Sequence, residues 1–262
     1  RHVETWIRRH TPDDAHVVVT DVTSGLAQLN VQGPRSRELL SSVTSVGLSN
    51  DAFPFRAVRE LDIGYARVTC VRITYLGELG YELYIPTEQA THVYDRVVEA
   101  GERVGLVHAG LKALASLRME KAYRDYGHDI DNTDTVLEAG LGFAVSWKKK
   151  GGFIGRDAAL AQQAAGPLRR GLVQVLLRDP EPMLHHAEVV HRDGVPVGYV
   201  RSGSYGHTLG GAVGLAMVEA DEAIDQAFLD KGRWQVDIGG TLVPAVASLA
   251  PLYDPTMERV KS

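Results

Sequence analysis

The sequence predicts an α+β protein whose last third is a small β-barrel or sandwich. Before residue 166, stretches with helical period alternate with runs rich in Val, Ile, Thr and Tyr, the pattern of mixed α/β layers. From Arg170 onward that period is lost, and about six short Val/Leu-rich runs are separated by turn residues, as in a small all-β unit. With 262 residues, 44% of them hydrophobic, the chain can bury cores without a disulfide or metal staple.

In order, Arg1–His10 carries Val3, Trp6, Ile7 and His10 at helical spacing and is closed by Thr11-Pro12. His16–Asp21 and Gly25–Val31 are expected as strands joined through Ser24-Gly25. After the Gln32-Gly33-Pro34 break comes a short helix over Arg35–Ser42, with Pro34 at its first position and Leu39 and Leu40 inward. Glu60–Ile63, Tyr65–Thr74 and Tyr81–Ile85 have strand composition, and the glycine-punctuated corner Tyr75–Gly80 joins the last two. Pro86-Thr87-Glu88 opens a helix to Gly101 with Val93, Val97 and Val98 on its apolar stripe. A second helix is expected from Ala109 to Tyr126, its stripe formed by Leu111, Leu114, Ala115, Leu117, Met119 and Ala122. Phe143–Trp147 is expected as a strand and Arg156–Ala165 as a helix stopped by Gly166-Pro167. Beyond it, Arg192-Asp193-Gly194, Ser202-Gly203 and Gly239-Gly240 are expected as turns, and Asp193-Gly194 is the strongest hairpin signal. The composition shift places a domain boundary near Gly166, separating 1–166 from 167–262.

The charge balance, 28 Lys+Arg against 33 Asp+Glu, leaves a net −5 and no electrostatic footprint for nucleic acid. Cys70 alone cannot form an intramolecular disulfide or a multi-cysteine zinc site, and in a strand it reads as a small buried hydrophobe. No apolar run reaches the roughly 18–20 residues of a membrane span, and no signal peptide is visible. A cytoplasmic setting is therefore expected, or the mitochondrial matrix in a eukaryote. The chain opens on Arg1 in a helix without a lead-in, which reads as part of a longer polypeptide.

Two stretches could carry chemistry. In Thr74–Glu82, Gly77 and Gly80 allow close backbone approach, Tyr75 offers a flat face, and Glu82 sets a carboxylate inside a strand. Burial of that carboxylate is costly unless a ligand or partner donates to it; a surface Glu beside a tight hairpin is the plainer alternative. In the second stretch, Arg118 lies within the apolar stripe of a helix, followed by Tyr126-Gly127-His128-Asp129. An ordinary charged helix face would account for Arg118 equally well. His185-His186 would point to opposite faces of a strand and reads as solvated loop. No glycine pattern matches a nucleotide-binding fingerprint.

These stretches also occur in a telling order: Gln32-Gly33-Pro34, Tyr75–Glu82, Leu117–Glu120 with Tyr126–Asp129, Leu137–Leu141, Phe153–Arg156 and the Ser202-Gly203 turn. The set resembles the folate-binding aminomethyltransferase family typified by the glycine-cleavage T-protein. Leu48–Phe55, Glu120–Arg124 and Asp254-Pro255 near Arg259–Lys261 make it most like the carboxy-terminal half of sarcosine and dimethylglycine dehydrogenases. The resemblance covers essentially the whole chain. It implies mixed α/β folate-binding layers, incomplete at their N-terminal side, followed by a C-terminal β-barrel. It implies tetrahydrofolate as cofactor, with Glu82 on the pterin edge, Tyr75 beside the folate, and Arg118 and Tyr126 lining the site. The family aspartate near the folate N5 would lie upstream of the position matching Arg1, so no catalytic residue is assigned within the chain. FAD is expected only in an N-terminal flavin domain, on the same polypeptide or a cleaved chain, and homo-oligomers are common among intact relatives. The activity so implied is capture of the one-carbon unit from an oxidised N-methyl amine to give 5,10-methylenetetrahydrofolate. A stand-alone aminomethyltransferase and a non-catalytic regulatory relative are the alternatives.

Overall fold

The computed structural model describes residues 1–262. Contacts divide the chain into two compact units, the first of residues 1–74, 78–107 and 260–262, the second of residues 75–77 and 108–259. The expected boundary at Gly166 follows the sequence, whereas this division follows space: residues 108–166 group with the barrel strands.

The first unit begins with α1 (His2–Arg9), which buries none of its residues. The strand expected over His16–Asp21 does not form. Asp21 Oδ1 accepts the Thr23 backbone N–H at 2.9 Å, and Thr23–Gly25 winds into a 3₁₀ turn. Such local side-chain bonding competes with a β-ladder. The next strand, β1 (Leu26–Gln32), accordingly finds its partner much later in the chain. Gly33, at φ +113°, and Pro34 make the turn into α2 (Ser36–Ser41), so Pro34 precedes the helix instead of opening it. Strands β2 (Val58–Ile63), β3 (Ala66–Val71) and β4 (Gly80–Pro86) complete an antiparallel sheet in the order β1-β4-β3-β2, and α3 (Ala90–Gly101) follows.

Period-two alternation decides which side chains this sheet buries. Val31, Leu61, Ile63, Val68, Cys70, Tyr81, Leu83 and Ile85 pack with Leu39 and Leu40 of α2 and Val93 and Val97 of α3 into one core. Burial pushes the Cys70 thiol up to about 12, so it stays a neutral hydrophobe. Residues 260–262 also belong here. Buried Arg72 donates to the carbonyls of Phe53 (2.8 Å), Lys261 (3.2 Å) and Ser262 (3.0 Å), and Arg37 donates to Ser262 at 2.7 Å.

In the second unit α4 (Leu111–Glu120) stops well short of Tyr126, because Ala122 takes a left-handed conformation at φ +53°. The expected apolar stripe is also corrected. Leu111 is exposed, and the buried positions are Ser116, Arg118, Met119 and Glu120. Their polar groups are satisfied. Ser116 Oγ donates to the Tyr205 carbonyl at 2.6 Å, and Glu120 Oε1 accepts the backbone N–H groups of Thr208 and Leu209 at 2.7 and 2.9 Å. Phe143–Trp147 is not a strand either: Gly142–Ala144 is a 3₁₀ turn, Phe143 is 81% exposed, and Trp147 Nε1 donates to the Gly142 carbonyl. Helix α5 (Arg156–Ala164) forms as expected.

The remaining strands are β5 (Arg170–Leu177), β6 (Val189–Arg192), β7 (Val195–Gly206), β8 (Gly211–Glu219), β9 (Trp234–Ile238) and β10 (Thr241–Ser248). They close an antiparallel barrel in the order β10-β5-β8-β7-β6-β9. Helix α6 (Gln226–Lys231) precedes β9, and α7 (Glu258–Lys261) lies near the end of the chain. Asp193-Gly194 and Gly239-Gly240 turn hairpins as the sequence indicates. Ser202-Gly203 does not turn; it lies inside β7, just after a register shift at Val200/Ser202. Gly203 is small for another reason, since a Cβ there would lie 2.5 Å from the Leu184 carbonyl group. Gly203→Ala should lower stability by about 1–3 kcal/mol, read as a fall in the urea midpoint. Gly151→Ala, whose Cβ would meet open space, should move stability by no more than about 0.5 kcal/mol.

Candidate functional site

Glu82 is placed by the alternation of β4. With Tyr81 and Leu83 committed to the core, Glu82 falls on the opposite, polar face, where it is half-buried. Directly opposite it on β1 is Asn30, and opposite Gly80 is Gln32. Tyr84, two residues along β4 and so on the same face, donates its hydroxyl to Glu82 Oε2 at 2.6 Å. That bond, reinforced by burial and the Glu82 charge, raises the Tyr84 phenol above its usual value. Gly80 makes room for the Gln32 amide, which a Cβ would overlap. Gln32 Oε1 is buried there with no hydrogen-bond partner. One face of the sheet thus carries a fixed carboxylate on β4 and, two register positions away on β1, an unfilled acceptor.

Tyr75 belongs to the second unit. Its ring stacks on Tyr123 with centroids 6.1 Å apart and planes inclined by 20°, and its hydroxyl donates to the Arg124 carbonyl at 2.8 Å. Burial, the largest cause, pushes its phenol up to about 12, so it remains a neutral donor. Gly77, at φ +82°, sits against Lys121, whose Cγ would be 2.9 Å from an added Cβ. Lys121 is buried and its ammonium group pairs with Asp254 Oδ2 at 2.7 Å. The corner that carries Tyr75 therefore rests on a buried ion pair.

Arg118 is buried, paired with Asp129, and donates to the Tyr123 carbonyl at 3.0 Å. Asp129 is completely buried, and its Oδ2 also accepts the Asp125 backbone N–H at 2.7 Å. Tyr126 is 56% exposed and bridges to Ile130. His128 is exposed beside Asp125. His185 and His186 are both exposed, and no group of three or more His, Cys, Asp or Glu side chains could hold a metal.

The polar face of β4 taken alone suits a ligand with hydrogen-bond donors on one edge, since its carboxylate repels a phosphate. A carboxylate offers about four lone-pair sites and accepts paired N–H donors side by side. Two sequence patterns match the chain: the GCVT N-terminal domain over residues 1–149, and the glycine cleavage T-protein C-terminal barrel domain over residues 170–254. The chain belongs to the glycine cleavage T-protein family. It is 44% identical over 243 residues to 4-methylaminobutanoate oxidase (formaldehyde-forming) of Paenarthrobacter nicotinovorans, a match covering 93% of the chain and 29% of that protein. It is 34% identical to the mitochondrial pyruvate dehydrogenase phosphatase regulatory subunit of Mus musculus, over 96% of the chain and 30% of the relative. Against mitochondrial sarcosine dehydrogenase of Homo sapiens the identity is 36%, over 92% of the chain and 26% of the relative. The chain thus spans less than a third of the length of these relatives. A solved aminomethyltransferase T of the glycine cleavage system from Bartonella henselae shares the fold, with TM-score 0.70, 24% identity, and coverage of 86% of this chain and 59% of that one.

Sequence reasoning missed Gln32, Tyr84, Lys121 and Asp129 as parts of these arrangements. Tyr84 was within reach, since a residue two along a strand shares a face. The others depend on contacts between distant segments. Lys121→Met should cost about 3–5 kcal/mol by leaving Asp254 without its partner. Burial pulls the Asp254 carboxyl upward, but hydrogen bonds from Lys121 and the Glu258 and Arg259 N–H groups hold it below its usual value. A carboxyl depressed in the folded state stabilises above its unfolded pKa, and that contribution is lost as pH falls through the folded value. Urea titrations should therefore show stability falling below about pH 4, with a shallower fall in Lys121→Met.

Proposed function

We propose that this chain is the tetrahydrofolate-binding portion of an N-methyl amine-oxidising flavoenzyme of the sarcosine/dimethylglycine dehydrogenase kind. The observation that carries the reading is Glu82, half-buried on the polar face of β4 and steadied by Tyr84. Its membership of the T-protein family and its likeness to N-methyl amine oxidases and dehydrogenases support it. In this reading Glu82 accepts the adjacent ring N–H and amino group of the pterin, and the unfilled Gln32 Oε1 offers another acceptor on that face. In the second unit, Tyr75, Arg118 and Tyr126 are the residues proposed for folate recognition. The bound folate supplies the amine that takes up the one-carbon unit. The protein's part is to orient it: Tyr75 presents a neutral, stacked ring, and Glu82 fixes the pterin by its donor edge. FAD would be bound by a separate N-terminal domain of the same enzyme.

The likeness to a phosphatase regulatory subunit favours a second reading, a non-catalytic relative that retains the fold. Calorimetric titration of the full-length polypeptide with tetrahydrofolate separates the two. The folate reading expects binding, and Glu82→Gln should weaken it about 10- to 100-fold, the loss of a charge-assisted hydrogen bond of roughly 1.5–3 kcal/mol. No binding, or equal affinity in Glu82→Gln, would overturn it.

A further inference from the structure

Asp129 has the burial of a core residue and the partners of an organiser. It is 0% exposed, and its Oδ2 receives both the Arg118 guanidinium and the Asp125 backbone N–H. Its own backbone N–H is bonded at 2.9 Å to the Asp125 carbonyl, so the carboxylate sits at the centre of a tight loop. The Gly127 N–H closes the same loop onto the Ile130 carbonyl at 2.8 Å. Its Oδ1 is buried without a hydrogen-bond partner, an unused acceptor that a purely structural carboxylate would be expected to fill. Arg118, held by this carboxylate, spends another bond on the Tyr123 carbonyl, and Tyr123 is the ring on which Tyr75 stacks.

We infer that Asp129 is a positioning residue for the folate site, acting through Arg118. The inference rests on the proposed folate reading and deepens it. Without the Asp129 charge, the buried Arg118 guanidinium keeps only the neutral Tyr123 carbonyl of these two partners, and its head is held less firmly. A group meant to meet a ligand must be held to within about half an ångström by partners that do not themselves touch the ligand. Asp129 holds the head of Arg118, and through Asp125 N–H it sets the loop that presents Tyr126. Sequence spacing explains why this is hidden: eleven residues separate the pair, and a helix end and a loop lie between them.

The test is a cycle of Asp129→Asn, Arg118→Gln and the double variant in the full-length polypeptide, with tetrahydrofolate affinity by calorimetry and folding by circular dichroism. Asp129→Asn should weaken folate binding at least 10-fold, and adding Arg118→Gln to it should cost less than a further 2-fold. If Asp129 only stabilises the loop, Arg118→Gln exacts its full loss in both backgrounds, which overturns the inference, as does an unchanged affinity in Asp129→Asn. Should Arg118→Gln alone not fold, Asp129→Asn and the double variant, which bury no unpaired carboxylate, supply the same comparison. Hydrogen exchange gives an arm independent of folate. The Asp125 and Gly127 amides should exchange at least 10-fold faster in Asp129→Asn, and unchanged protection overturns the inference. A parent that binds no folate while those amides respond sinks the folate reading and leaves Asp129 as organiser of the loop alone.

Discussion

The two-residue alternation of β4 is the constraint on which the first unit depends. Tyr81, Leu83 and Ile85 supply much of its core, and β4 is hydrogen-bonded on both sides, to β1 and β3. A slip of one residue would bring Glu82 and Tyr84 into that core and put three large hydrophobic side chains on the polar face. Burial of the apolar set, on the order of 1.5–3 kcal/mol for each side chain, therefore fixes where the carboxylate goes. The position of the acid is a by-product of packing its neighbours, which is why it needs no dedicated scaffold.

The same logic explains what could be read from the sequence. Where periodicity and turn chemistry agree, as in β2–β4, α3, α5 and the Asp193-Gly194 and Gly239-Gly240 hairpins, the expected elements form. The failures have specific causes. Asp21 and Thr23 close a local turn at the end of the segment expected as a strand, and Gly203 is small because the Leu184 backbone passes close by, not because the chain turns there. In α4 the apolar stripe was misleading because its buried side chains are hydrogen-bonded to strands and loops far along the chain, through Ser116 and Glu120. Of the site, Glu82 and Tyr75 stood out as residue types in a telling corner. The partners that hold them are visible only once distant segments meet.

Relatives with quite different names match this chain in sequence, an oxidase, a dehydrogenase and a regulatory subunit, and a solved aminomethyltransferase shares its fold. A fold common to so many roles cannot by itself assign one. What distinguishes a ligand-binding member is the state of a few polar groups. In this chain the Gln32 amide oxygen on the polar sheet face is left without a partner, while the Tyr84 hydroxyl on that face is committed to Glu82.

The return of residues 260–262 to the first unit has a consequence for how the polypeptide is made. Translation delivers Arg72 long before Lys261 and Ser262 leave the ribosome, and the whole barrel is synthesised in between. Until then the buried guanidinium lacks two of its three carbonyl acceptors, so the nascent first unit is held incomplete. Contacts of such long sequence separation form late, and residues 260–262 act as a latch that closes on the first unit only after the barrel strands have been made.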